Sequence, residues 1–361
     1  MVRVGKIILI LCLGVIFNIK LIFAKTVVNL YTTSNYIADS TILSYQKSCG
    51  CELFLNYFSD PQEMMAKIAA GASGYDVIIG TGYAVEDLYK MGKFTDLNLH
   101  KIQGLNNIES NFTHLAFDPH NKFSIPYAYT VTVAGYNKTK LDKLGIVPDT
   151  WAVFFDKKYL QKLQGHVTVF DSQRNVYAAA LLYLGKDPNS FNKADLAMAR
   201  KVIERSSHYW IRYDSTTYYR SLLNGDIWLA MSYSNDLFNT LQDAKKSKLS
   251  YQIAGMLQKE GNMIELDDMV IPKDSKNKDL AYQFISHALL PKSSYALSED
   301  TGSSVPNNKA IKMISKNIID HDWIYPKSNQ KIYNFTSYPP KVRIMVNEEW
   351  IEIKMNGRCN I

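Results

Sequence analysis

Residues Asp60–Gly92, "DPQEMMAKIAAGASGYDVIIGTGYAVEDLYKMG", carry the pattern that decides the fold. Residues 60–71 read as a helix, with Asp60 as its N-cap, Pro61 in the first turn and Gly71 at the exit. "YDVIIG" (75–80) is a short apolar run bounded by glycines, the mark of a buried strand, and "AVEDLYKMG" (84–92) reads as a second helix ended by glycine. Upstream, "TVVNLY" (26–31) predicts a strand, "ADSTILSYQKSC" (38–49) a helix and "ELFLNYF" (52–58) a strand. Strand–helix alternation of this kind predicts an α/β sandwich with mostly parallel sheets. In such sheets ligands sit beyond the carboxyl ends of the strands. Two loops fall there: "TTSNY" (32–36), with Thr33, Ser34 and Tyr36, and "GTGY" (80–83), with Thr81 and Tyr83.

Further along, "FSIPYAYTVTVAGYN" (123–137) is extended and long enough to cross from one lobe to another. A second set follows: strands at 166–170 and 227–234 and helices at 176–185 and 196–206, then a long amphipathic helix at 277–290. Before that last helix stands "IELDDMVIP" (264–272). In an extended chain Glu265 and Asp267 share one face and Asp268 takes the other. Two sets joined by two crossings suggest a bilobed clamp with a cleft between its lobes.

The chain has 361 residues and a formal charge of +7. Its first residues, "MVRVGKIILILCLGVIFNIKLIFAKT", have the layout of a secretory leader: Arg3 and Lys6, an apolar run from Ile7 to Phe17, and a small residue, Ala24, at the cut. The run is too short to span a bilayer. Cleavage there removes Arg3, Lys6 and Lys20 and no acid, leaving a charge of +4. The basic residues are scattered, which argues against nucleic acid as a partner. Cys49, Cys51 and Cys359 then remain, an odd number for an exported chain, with a bond from Cys49 or Cys51 to Cys359 open. No GxSxG, HExxH, P-loop or GxGxxG occurs and the seven histidines are scattered, so no catalytic chemistry, metal or cofactor is read here.

The block "EGNMIELDDMVIPKDSKNKDLAYQFISHALLPKSSYALSEDTGSSVPN" (260–307) resembles the bacterial periplasmic polyamine-binding proteins, the spermidine/putrescine receptors of ABC importers. "GYDVIIGTGY", "FDPHNKFSIPYAYTVTVAGYN" and "LLNGDIWLAMSYSND" resemble three further blocks of that family, in order. The resemblance implies a two-lobed periplasmic-binding-protein type II fold closing on a hinge. It implies a leader at 1–24, one lobe from 25–132 with 268–315, and another from 133–267 with 316–361. It further implies a monomer that hands a polyamine or other small cation to an inner-membrane permease and its ATPase.

Carried over residue by residue, the resemblance makes Asp267 the acid that grips an amine. Tyr36 and Tyr83 are kept. Thr33, with Ser34 beside it, stands where the family has a tryptophan, as do Tyr233 and Glu265. An acid pair becomes Ser172 and Asn175, and a tyrosine becomes Ser303. The pocket thus exchanges aromatic surface and one acidic pole for a second carboxylate beside Asp267. Glu265 and Asp267 are read as one joint pole, with Asp171 or Asp236 as a neighbour. A ferric-iron receptor is the runner-up, on Tyr218-Tyr219, although that pair is placed away from the cleft; a receptor that reports its ligand without uptake is the other alternative.

Overall fold

The computed structural model describes residues 25–34, 36–58 and 61–357. The leader, the Asp60 cap and Cys359 lie outside the described residues.

Ten strands build one sheet: β1 (Val27–Thr32), β2 (Glu52–Tyr57), β3 (Val77–Thr81), β4 (Ile125–Asn137), β5 (Val167–Val169), β6 (Arg212–Tyr213), β7 (Leu229–Tyr233), β8 (Ile253–Met256), β9 (Asn262–Val270) and β10 (Ile332–Asn334). Their order is β2-β1-β3-β9-β4-β7-β5-β6, with β10 on β9 and β8 on β4. Side chains alternate across the first half. Tyr31 and Ile78 pack with Met64, Ile68, Val85 and Leu88 of the helices Pro61–Ala69 and Gly82–Lys90. Leu30 and Ile79 belong to the main core, to which helices Asp39–Cys49 and Lys278–Ala288 contribute Tyr45 and Phe284. Each of these apolar side chains contributes about 1.5–3 kcal/mol by leaving water.

β1 pairs in parallel with β2 and β3, and β5 in parallel with β6 and β7. Every antiparallel pairing of the described strands involves β4 or β9. The reason is directional: the chain crosses between the halves on β4 and returns on β9, so the two crossings run opposite ways. β4 pairs with β9 from Ile125 to Val131, then with β7 from Thr132 to Tyr136 and with β8 from Ala134 to Asn137. β9 meets β3 through Thr81↔Asp267 and β4 through Thr130↔Glu265. The expected acidic crossing therefore lies at the junction of the halves.

Cys49 and Cys51 form a disulfide across Gly50, so neither is left for Cys359. Gly50 caps its helix in the left-handed region, at φ 64°. Gly302 does the same for helix Pro291–Thr301, at φ 72°, and a Cβ there would stand 2.5 Å from Phe238 Cδ1. Left-handed strain and overlap act together. Gly302→Ala is expected to cost about 2–4 kcal/mol, read as a lowered urea midpoint at unchanged m-value.

Candidate functional site

A cleft of about 690 Å³ opens where β9 crosses between the halves. The alternation of β9 puts Glu265 and Asp267, partly exposed, on the cleft face and buries Leu266 and Asp268 on the other. Seven of the residues picked from sequence line this cleft: Thr33, Ser34, Tyr36, Thr81, Tyr233, Glu265 and Asp267.

The two carboxylates are held from different sides. Asp267 Oδ2 accepts from Tyr36 Oη at 2.5 Å and its Oδ1 accepts from Thr81 Oγ1 at 2.9 Å. Tyr36 follows β1 and Thr81 ends β3, both in the first half, and Tyr127 fixes Tyr36 by donating its hydroxyl to the Tyr36 carbonyl at 2.8 Å. Glu265 Oε1 accepts from Asn175 Nδ2 at 2.6 Å and from Tyr233 Oη at 3.2 Å, both from the second half. Asn175 is in turn oriented by Thr132 Oγ1, which donates to its Oδ1 at 2.9 Å. Tyr233 stacks on Phe170 with ring centroids 4.2 Å apart. Asp236, in the first turn of helix Ser234–Lys246, also lines the cleft and accepts from Tyr218 Oη at 2.8 Å.

Burial in the cleft wall raises all three acids. Glu265 is pushed up to about 7, first by burial and then by Asp267, against the lowering pull of Asn175, Tyr233 and Arg174. Burial lifts Asp267 to about 6 although Tyr36 and Thr81 stabilise its charge, and lifts Asp236 to about 6. These are anionic groups short of countercharge, the electrostatic condition of a cation site. Asp268 differs. Neither of its oxygens has a partner, and burial, with Asp267 and Asp118 near, drives it well above the usual carboxylate range.

Four expected site residues do not reach the cleft wall. Asn175, with Ser172 Oγ 3.1 Å from its Nδ2, stands behind Glu265 as a positioning group. Ser303 is fully buried, accepting from Thr301 Oγ1 at 2.9 Å. Tyr83 lines a different cavity, because the helix Gly82–Lys90 that starts beside it carries it past the cleft. Asp171, the alternative neighbour of the acid pole, accepts instead from Lys354 at 2.8 Å and from Trp350.

Of the other wall residues, Asp236 alone was expected from sequence, as a neighbour of the acid pole. Tyr219 lines the cleft, contrary to the placement expected for the Tyr218-Tyr219 pair. Helix Ser234–Lys246 presents Asp236, Asn239, Thr240 and Asp243 to the cleft, an i, i+3, i+4, i+7 face that was legible as a polar stripe. Among the described residues no group of three His, Cys, Asp or Glu side chains is placed to hold a metal ion. No described helix is long and apolar enough to cross a membrane.

Residues 42–325 match the model of a family described as bacterial extracellular solute-binding protein. The chain is 37% identical over 328 residues to a putrescine/cadaverine-binding protein of Pseudomonas aeruginosa, covering 90% of this chain and 93% of that one. It is 29% identical over 335 residues to the putrescine-binding periplasmic protein PotF of Escherichia coli, covering 90% of each. In three dimensions it superposes on the spermidine/putrescine ABC transporter substrate-binding protein PotD of Streptococcus pneumoniae with a TM-score of 0.81. That match has 22% identity and covers 92% of this chain and 99% of that one.

Proposed function

The chain belongs to the bacterial extracellular solute-binding protein family, and on that premise we propose that it captures a polyamine, such as putrescine or spermidine, and delivers it to an ABC importer. The observation that carries this reading is the pair on β9: Asp267 gripped from the first half and Glu265 from the second, both facing one cleft. An ammonium seated between them neutralises two carboxylates that otherwise repel, and a buried ammonium requires such a partner. Tyr233 and Tyr219 offer aromatic faces to the methylene stem.

The ligand favours closure because the two carboxylates it meets are held from different halves, Asp267 by Tyr36 and Thr81 and Glu265 by Asn175 and Tyr233. Only that differential affinity can shift an open–closed equilibrium. The hinge is assigned to β4 near Val131–Thr132, where the strand changes partners, and to β9. The lobes then comprise residues 25–132 with 268–315, and 133–267 with 316–361. Residues 1–24 are assigned as the export leader, the periplasm as the site of action and the monomer as the working form. The permease supplies passage and its ATPase the energy, since no nucleotide motif occurs in this sequence.

Calorimetry with putrescine, cadaverine, spermidine, agmatine and arginine tests the reading. At least one polyamine is expected to bind at micromolar concentration or below, about −8 kcal/mol or better, with arginine weaker. Silence from every amine sinks it.

A further inference from the structure

Besides the crossings on β4 and β9, the two halves meet along one flank of the molecule. From the first half comes helix Gly82–Lys90, which packs on β3 and β9. From the second come residues 336–338 and helix Pro340–Gly357. That helix is anchored in its own half: Glu349 accepts from Tyr177 Oη at 2.8 Å and Glu352 from Arg200 Nη2 at 2.7 Å.

Two polar contacts bridge the flank. Arg343 Nη1 donates to Asp87 Oδ2, and Ser337 Oγ donates to the Tyr83 carbonyl at 3.0 Å. The Asp87 side chain is 12% exposed and that of Arg343 34%, so solvent ions screen the pair only in part. Every other ion pair of the described residues joins two side chains of the same half. Such a pair is blind to the angle between the halves. Asp87–Arg343 is made or broken by it.

The flank is not packed shut. A cavity of about 320 Å³ remains between its walls, and it shares no lining residue with the polyamine cleft. Unfilled space forfeits dispersion contacts, so these surfaces are held by directed polar contacts rather than by a core. That is how a joint able to open is built. The same helix also reaches the cleft: Thr81, its N-cap, donates to Asp267 at 2.9 Å. The grip on Asp267 and the contact with Arg343 therefore move together.

We propose that Asp87–Arg343, backed by Ser337, is a clasp that draws the halves together without ligand and so sets how tightly the cleft holds its guest. Apparent affinity scales with the fraction of empty protein already in the competent form. The clasp rests on the closure assigned above, but the first arm of its test uses no ligand, so its failure and that of the polyamine reading are told apart.

The mature protein is compared with Asp87→Asn, Arg343→Gln and the double variant. X-ray scattering from the empty protein is expected to give a larger radius of gyration for each single variant than for the parent. The double variant is expected to match them, because either change cuts the same pair. Putrescine, titrated calorimetrically, is expected to bind each variant roughly two- to fivefold more weakly, although neither residue lines the cleft. Lys90→Gln, which breaks the Lys90–Glu86 pair inside the first half, is expected to leave both readouts at the parent value. A parental radius of gyration in both single variants overturns the proposal, as does parental affinity in a variant that scatters as more open. Single effects that add in the double variant, or a Lys90→Gln effect equal to theirs, overturn it too. If no amine binds, the scattering arm alone decides.

Discussion

Asp267→Asn is expected to weaken putrescine binding by roughly a hundredfold or more, a loss of about 3 kcal/mol. The substitution keeps size and shape but removes the charge that meets the ammonium. It also creates a local mismatch. Tyr36 and Thr81 both donate to the carboxylate, one to each oxygen, whereas an asparagine offers one acceptor and one donor. The hydroxyl facing the amide nitrogen then loses its acceptor. Folding is not at stake, because burying an ionised Asp267 is itself unfavourable, as its raised pKa reports. The variant is expected to melt at or above the parent temperature at pH 7.5 without ligand. Calorimetry on a variant with an unperturbed melting curve makes the comparison clean. Unchanged affinity would mean that the cation is held elsewhere and that the crossing strand is a bystander.

Affinity is also expected to fall steeply with acidification, by roughly a hundredfold between pH 8 and pH 5.5. Glu265 titrates near 7 and Asp267 near 6 in the empty cleft. A cation binds the ionised pair, so below these values each carboxyl must first release a proton. Primary amines keep their charge throughout this range, since their pKa lies near that of lysine, about 10.4. The loss therefore belongs to the protein. The stability of the empty protein has the opposite sign. Both acids hold protons to higher pH folded than unfolded, so the folded state binds more protons between about pH 4 and pH 7. Stability contributed by these groups is present at the acid end of that window and is lost as pH rises through the folded values. The empty protein is thus expected to gain less from ligand at pH 5.5 than at pH 8. A pH series of melting curves with and without putrescine checks both signs, and a ligand-induced shift independent of pH would remove these acids from the site.

Much of the architecture was legible along the chain. The alternation of β9 assigned Glu265 and Asp267 to one face and Asp268 to the other, and that is how they stand. "VIIG" read as a buried strand and lies fully buried in β3. The "TTSNY" and "GTGY" loops supply Tyr36 and Thr81 to Asp267. Less legible were the partners. Asn175 aligned as a ligand-facing position yet stands behind Glu265, and Tyr219 was placed away from a cleft it lines. Asp171 is taken by Lys354, which lies 183 positions along the chain.

Although β6, β8, β10 and the helices Ser234–Lys246 and Pro340–Gly357 were not read from it, what this sequence determined by itself is the strands and helices of the first half, their order and the face of β9 on which each acid emerges. Those follow from backbone periodicity and from glycine and proline, which act within a few residues. Only the tertiary structure decided which groups hold each carboxylate and that the crossings pair antiparallel. Such pairings bring together segments far apart in the chain, 231 positions at Tyr36 and Asp267. They are chosen by how packed elements close on one another, which no local pattern encodes.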